Sequence, residues 1–171
     1  MNRKKIKGFT LIELLVVIAI ISLLSTSVMA SLSSARSKAR DTKRMADMKQ
    51  IQTALEMYFN DYGSYPVASF SSEPGDQVAN NGGNWIPGLT PTYLAVLPKD
   101  PLGGNSSNPV CTGGVWKRAY IYLGSQGGAR YKLLSHCAPE GTWTSSHSFY
   151  DPLRGSWAWQ VSSDPTARAS F

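Results

Sequence analysis

Apolar and polar positions divide the chain into stretches of different period. Residues 1–8, MNRKKIKG, are polar and basic and end in glycine. Residues 9–29, FTLIELLVVIAIISLLSTSVM, are apolar almost throughout. These 21 residues would make a helix of about 31 Å at roughly 1.5 Å per residue, enough to cross the hydrocarbon core of a membrane. From about Ser31 the pattern turns amphipathic. Met48, Ile51, Leu55, Tyr58 and Tyr62 recur at steps of three and four, which sets them on one helical face and leaves Lys43, Arg44, Lys49 and Glu56 for the others. Neither Gly nor Pro occurs from Phe9 to Tyr62, 54 residues in all, which predicts one helix of about 80 Å. Gly63, with Pro66 just beyond, ends it.

The remaining residues, 63–171, are rich in Gly, Pro, Ser and Asn. Residues 67–115 read mostly as loop, punctuated by Gly82-Gly83, Pro87, Pro91, Pro98 and Pro101, with a short helix around Pro91 to Val96. Tyr120 to Leu123 and Tyr131 to Ser135 read as strands joined by a turn through Gly127-Gly128, and Trp157 to Val161 as a third strand. A helix whose first half lacks a polar face suits lipid or a helix bundle. Its second half carries one apolar stripe and must dock on something folded. The expected fold class is therefore α+β: a long N-terminal α-helix packed on a small antiparallel β-sheet head. The expected segments are a leader at 1–8, a transmembrane and assembly helix at 9–30, its amphipathic continuation at 31–62, and an extracytoplasmic head at 63–171.

Charge sharpens this division. The formal net charge is +6, but Arg3, Lys4, Lys5 and Lys7 lie within the leader, and without it 13 basic residues face 11 acidic ones. The head alone is close to neutral, which argues against a nucleic-acid partner, since that needs a concentrated basic face. The leader's charges abut the span and favour a cytoplasmic N-terminus, although Arg36, Lys38, Arg40, Lys43, Arg44 and Lys49 lie beyond it. The two cysteines, Cys111 and Cys137, fall in the distal half, with no C-x-x-C and only two histidines. No zinc pattern or cofactor is expected. An exterior head would bond the two cysteines; the other reading is two buried thiols acting as small apolar side chains. His136 and His147 sit in no catalytic motif and no G-x-S-x-G occurs, so an enzyme is not expected.

Glu13 is the one acidic residue in the apolar run. A carboxylate in a spanning segment costs on the order of a few kcal/mol. One turn from the start of the span, it either snorkels to the interface or pairs with a cation. The leader itself fits a secretory signal peptide with small residues at Ser25 to Ala30, an uncleaved signal anchor, or a more specific type. GFTLIELLVVIAII, residues 8–21, closely resembles the class III leader of type IV pilins and type II secretion pseudopilins. The resemblance implies that a membrane-embedded prepilin peptidase cuts between Gly8 and Phe9 and methylates the amine of Phe9. It also places Glu13 at the family's glutamate, the fifth mature residue. Cleavage would then create a cationic amine four residues before Glu13, on its own chain or a neighbour's. Their pairing offers a way to set register while stems bundle into a helical filament with other pilin-like subunits.

The resemblance continues through IQTALEMYFNDYGSYP (Ile51 to Pro66) and YLAVLPKDPLG (Tyr93 to Gly103), which look like the major pseudopilin of type II secretion. Packing is the reading preferred for both segments, with Tyr58, Tyr62 and Tyr65 supplying aromatic area. The same packing or subunit-contact reading applies to Trp143, Phe149, Tyr150, Trp157 and Trp159. Major pseudopilins carry a calcium-binding, Asp-rich loop after the sheet. Here the corresponding SHCAPEG, Ser135 to Gly141, has Glu140 as its only carboxylate, so no metal site is expected. The Cys111–Cys137 pair is instead similar to the disulfide of type IV pilin heads. The resemblance implies a single-pass inner-membrane protein assembled into an extracytoplasmic filament. Its use is protein secretion, or alternatively adhesion, motility or DNA uptake by a type IV pilus. A signal-anchored extracellular binding protein is the other alternative.

Overall fold

Fifty-two residues without Gly or Pro form one helix, α1, Leu11–Tyr62. The computed structural model describes residues 8–72, 84–103, 118–125 and 127–164. Its contacts divide the chain into two units, Met1–Lys38 and Ala39–Phe171.

In the first unit every described residue from 8 to 36 is exposed. Phe9, Leu11, Ile12, Leu23 and Met29 are more than two-thirds exposed. The helix is long and apolar enough to cross a membrane by length and composition. Three of its hydroxyls bond its own backbone: Ser22 Oγ donates to Ile18 O at 2.7 Å, Ser25 Oγ to Ile21 O at 2.7 Å and Thr26 Oγ1 to Leu23 O at 2.8 Å. These three donors stay satisfied when the segment leaves water, as a hydrocarbon environment demands.

In the second unit α1 turns one face inward. Met48, Ile51 and Leu55 are fully buried, as the period predicts, and each contributes about 1.5–3 kcal/mol of burial. Two expectations fail at the edges of the stripe. Tyr62 is 64% exposed, because it lies in the last turn. Arg44, assigned to an outer face, is 0% exposed; it stands one turn before Met48 and so shares its face. Gly63 adopts φ 68°, and its N–H donates to Phe59 O at 2.8 Å, a left-handed C-terminal cap of the kind glycine permits.

The sheet has five antiparallel strands: β1 (Ala68–Ser72), β2 (Ala119–Gly124), β3 (Tyr131–His136), β4 (Tyr150–Asp151) and β5 (Gly155–Ser162), in the order β1-β2-β3-β5-β4. Three match the expected strands. β1 falls in the stretch read as loop, and β4 has only two residues. The short helix expected near Pro91 is a turn over residues 87–93. On the sheet's core face Tyr120, Tyr122, Tyr131, Leu133 and Trp159 pack with Met48, Ile51, Leu55, Trp85 and Leu89. The opposite face is buried too: Ile121, Lys132, Leu134, His136, Ala158 and Gln160 are each at most 4% exposed. Between β2 and β3, Gly128 (φ 67°) accepts from Tyr65 N–H at 2.7 Å. A Cβ there would lie 2.5 Å from Tyr65 O, so the turn needs glycine for both its backbone angle and its space.

Candidate functional site

The segment before α1 ends in Gly8-Phe9-Thr10, which is non-helical and exposed. Thr10 caps the helix. Its Oγ1 accepts from Glu13 N–H at 3.3 Å, and Glu13 Oε2 accepts from Thr10 N–H at 2.8 Å and from Thr10 Oγ1 at 2.7 Å. This reciprocal pattern over Thr-x-x-Glu is a capping box, which satisfies two backbone donors that the first turn leaves without partners. Glu13 therefore has a partner inside its own chain. Glu13 Oε1 has no partner among the described residues. The Gly8–Phe9 bond lies just outside the box, on non-helical, exposed backbone.

A second polar cluster lies in the other unit. The Arg44 guanidinium donates through Nε to Asp100 Oδ2 at 2.6 Å and through its second terminal nitrogen to Asp100 Oδ1 at 3.1 Å. Its first terminal nitrogen donates to Asp41 Oδ1 and Glu140 Oε1, both at 2.8 Å. Arg40 grips Glu140 with two bonds, 2.7 and 2.5 Å. Backbone amides complete the set. Asp41 accepts from Glu140 N–H and Gly141 N–H, and Asp100 from Leu102 N–H and Gly103 N–H. One turn of α1 thus holds both the LPKDPLG segment and the loop after β3. Bonding from Arg40 holds the Glu140 carboxyl down to about 2; burial opposes this, and Arg44 adds to the depression. Burial opposes the charge on Arg44, but its bonds to Asp100 and Glu140 prevail and raise its pKa. Local patterning gave no sign of this cluster, because Asp100 and Glu140 are 56 and 96 residues from Arg44.

The aromatic segments pack. Tyr65 lies 4.7 Å from Tyr131 between ring centroids and donates to Glu56 Oε2 at 3.0 Å. Trp143 meets Trp159 edge-on at 4.9 Å, and Phe149 joins the same core. Cys137 is buried, with φ 54°, directly after β3; Cys111 lies outside the described residues. Among the described residues no group of three or more His, Cys, Asp or Glu is arranged to hold a metal ion.

Residues 3–29 match the prokaryotic N-terminal methylation motif. The type II secretion system core protein G of Klebsiella michiganensis is 33% identical over 113 residues, covering 61% of this chain and 74% of that protein. The chain belongs to the type II secretion system core protein G family. The core protein G of Pseudomonas aeruginosa is 36% identical over 105 residues, covering 60% of this chain and 72% of that protein. A shorter match, 48% identity over 59 residues, links the chain to the type IV wide pilus major component PilA4 of Thermus thermophilus, with 34% of this chain and 45% of that one covered. No solved structure matches. The core protein G family is structural, a family of pseudopilins, and its methylation motif fits processing by prepilin peptidase. The α+β layout of one long helix and a small antiparallel sheet is pilin-like.

Proposed function

We propose that the chain is a non-catalytic subunit of a type II secretion pseudopilus. Prepilin peptidase cuts between Gly8 and Phe9 and methylates Phe9. The stem, 9–30, rests in the inner membrane with its N-terminus cytoplasmic. The helix continues through 31–62, and the head, 63–171, lies outside. Subunits then leave the membrane stem by stem into a helical filament with other pilin-like chains. In this reading Glu13 receives the amine of Phe9 through its remaining oxygen, Oε1, and Cys111 bonds Cys137 in the oxidising exterior. No metal, cofactor or nucleic acid takes part.

The observation that carries the proposal is the stem. It exposes an apolar surface along residues 9–29, with a single acid held at its start. One copy cannot bury such a surface, whereas a bundle or a bilayer can. The test is the N-terminus of protein extracted from membranes: N-methylated Phe9 is expected in the wild type, and full-length precursor in Gly8→Arg. Wild-type protein beginning at Met1, or mature-sized Gly8→Arg protein, overturns the proposal. The PilA4 match favours one second reading, a type IV pilus. Removal of the chain would then abolish surface pili and leave exoprotein secretion intact.

A further inference from the structure

The major pseudopilins that this chain resembles fasten the loop after their sheet with calcium, and the corresponding loop here does not fit that ion. Calcium takes six to eight oxygens. The nearest carboxylates are those of Asp41, Asp100 and Glu140, and all six of their oxygens already accept N–H bonds. Asp41 takes Arg44, Glu140 N–H and Gly141 N–H. Asp100 takes Arg44 on both oxygens, with Leu102 N–H and Gly103 N–H on one. Glu140 takes Arg40 on both oxygens and Arg44 on one. The Arg44 side chain is 0% exposed and that of Glu140 is 16% exposed. A guanidinium thus stands at the point where the three acids converge, leaving no oxygen cage for a metal.

We infer that the loop after β3 is fastened to α1 by Arg40 and Arg44, and that this attachment requires no divalent cation. The two arginines supply fixed positive charge where an ion would otherwise be needed. They arrive with the chain itself, so this attachment is independent of the external calcium concentration. The inference concerns the folding of one copy and goes beyond the filament reading; a failure of assembly leaves it untouched.

The test is thermal unfolding of the full chain in detergent, once with EGTA and once with millimolar calcium chloride, together with a calcium titration by calorimetry. Superimposable wild-type melts and no saturable heat are expected. Arg40→Gln and Glu140→Gln should each melt about 5 °C or more below wild type, equally in both buffers. Both are partly exposed positions, and the wild-type comparison stands even if a variant does not fold. A wild-type melting temperature that rises with calcium, one equivalent of bound calcium, or variants that melt with the wild type would each overturn the inference.

Discussion

Replacing Arg44 with Met tests the packing of α1 on the loops more sharply than any apolar truncation. Methionine keeps much of the side chain's length but removes the charge and four hydrogen bonds, to Asp41, Glu140 and twice to Asp100. Arg40 still neutralises Glu140, whereas Asp41 and Asp100 lose the cation they share. Removing one partner of a buried ion pair costs roughly 3–5 kcal/mol, because the opposite charge stays behind. A unit of this size loses about 3–5 °C of melting temperature per kcal/mol, so a drop of about 10–20 °C follows. Circular dichroism melts of the full chain in detergent at pH 7 measure it. A pH series adds a signature that simple loss of packing lacks. In Arg44→Met the Glu140 carboxyl has lost one of the two cations that hold its pKa down, so the gap to wild type should narrow as pH falls from 4.5 toward 2. A loss under about 1 kcal/mol, or a gap that widens over that range, refutes the reasoning.

The other predictions concern the stem, one turn and one titration. Glu13→Gln keeps an amide oxygen for the capping box but no charge, whereas Glu13→Ala removes both. Each should be inserted and cleaved, and filament yield by electron microscopy should fall in both; normal filaments from Glu13→Gln would reduce Glu13 to a helix cap. Gly128→Ala should cost about 2 kcal/mol or more through backbone strain and the clash with Tyr65. Gly127→Ala, where nothing lies within 4 Å of the added Cβ, should cost only the strain, about 1–2 kcal/mol; denaturant melts that rank the two the other way would contradict the geometry. Because Glu140 titrates near 2 in the folded chain against an ordinary 4.5, it adds stability that is complete above the ordinary value and lost as pH falls from there toward 2. Wild-type melts should therefore drop steeply over that window and those of Glu140→Gln more gently; parallel curves would show that the pair adds nothing.

What the sequence disclosed follows from how far apart the interacting residues lie. The stem, the cap at Gly63, the glycine turn and three of the five strands depend on neighbours within a few positions, and their periods were readable. Thr10 and Glu13 are readable too, as Thr-x-x-Glu before an apolar run. β1 was missed because ASFSS lacks the large alternating residues of its partner, and its pairing with β2 is irregular between Ala68 and Ser71. β4 is too short for any period. Arg44 was misplaced because a charged residue amid apolar neighbours reads as an outer position until its partners are known. Those partners are acids in two distant loops that fall beside one turn of helix only in the folded chain.

The two acidic sites divide the work of the molecule. Where α1 meets the loops, the carboxylates of Asp41, Asp100 and Glu140 are satisfied within one copy, so little is gained by offering them to a partner. In the stem the capping box engages one oxygen of Glu13 and leaves the other open. The box also restrains the side chain before any partner arrives. Holding a flexible side chain in advance removes an ordering cost of about 0.5–1.5 kcal/mol from the later contact. An acid with both oxygens engaged would have fewer sites left to select register, and one with neither engaged would meet its partner from many rotamers. A half-engaged glutamate at the start of an exposed apolar helix is therefore suited to a single intermolecular task, the recognition of one positive group at one height along the stem.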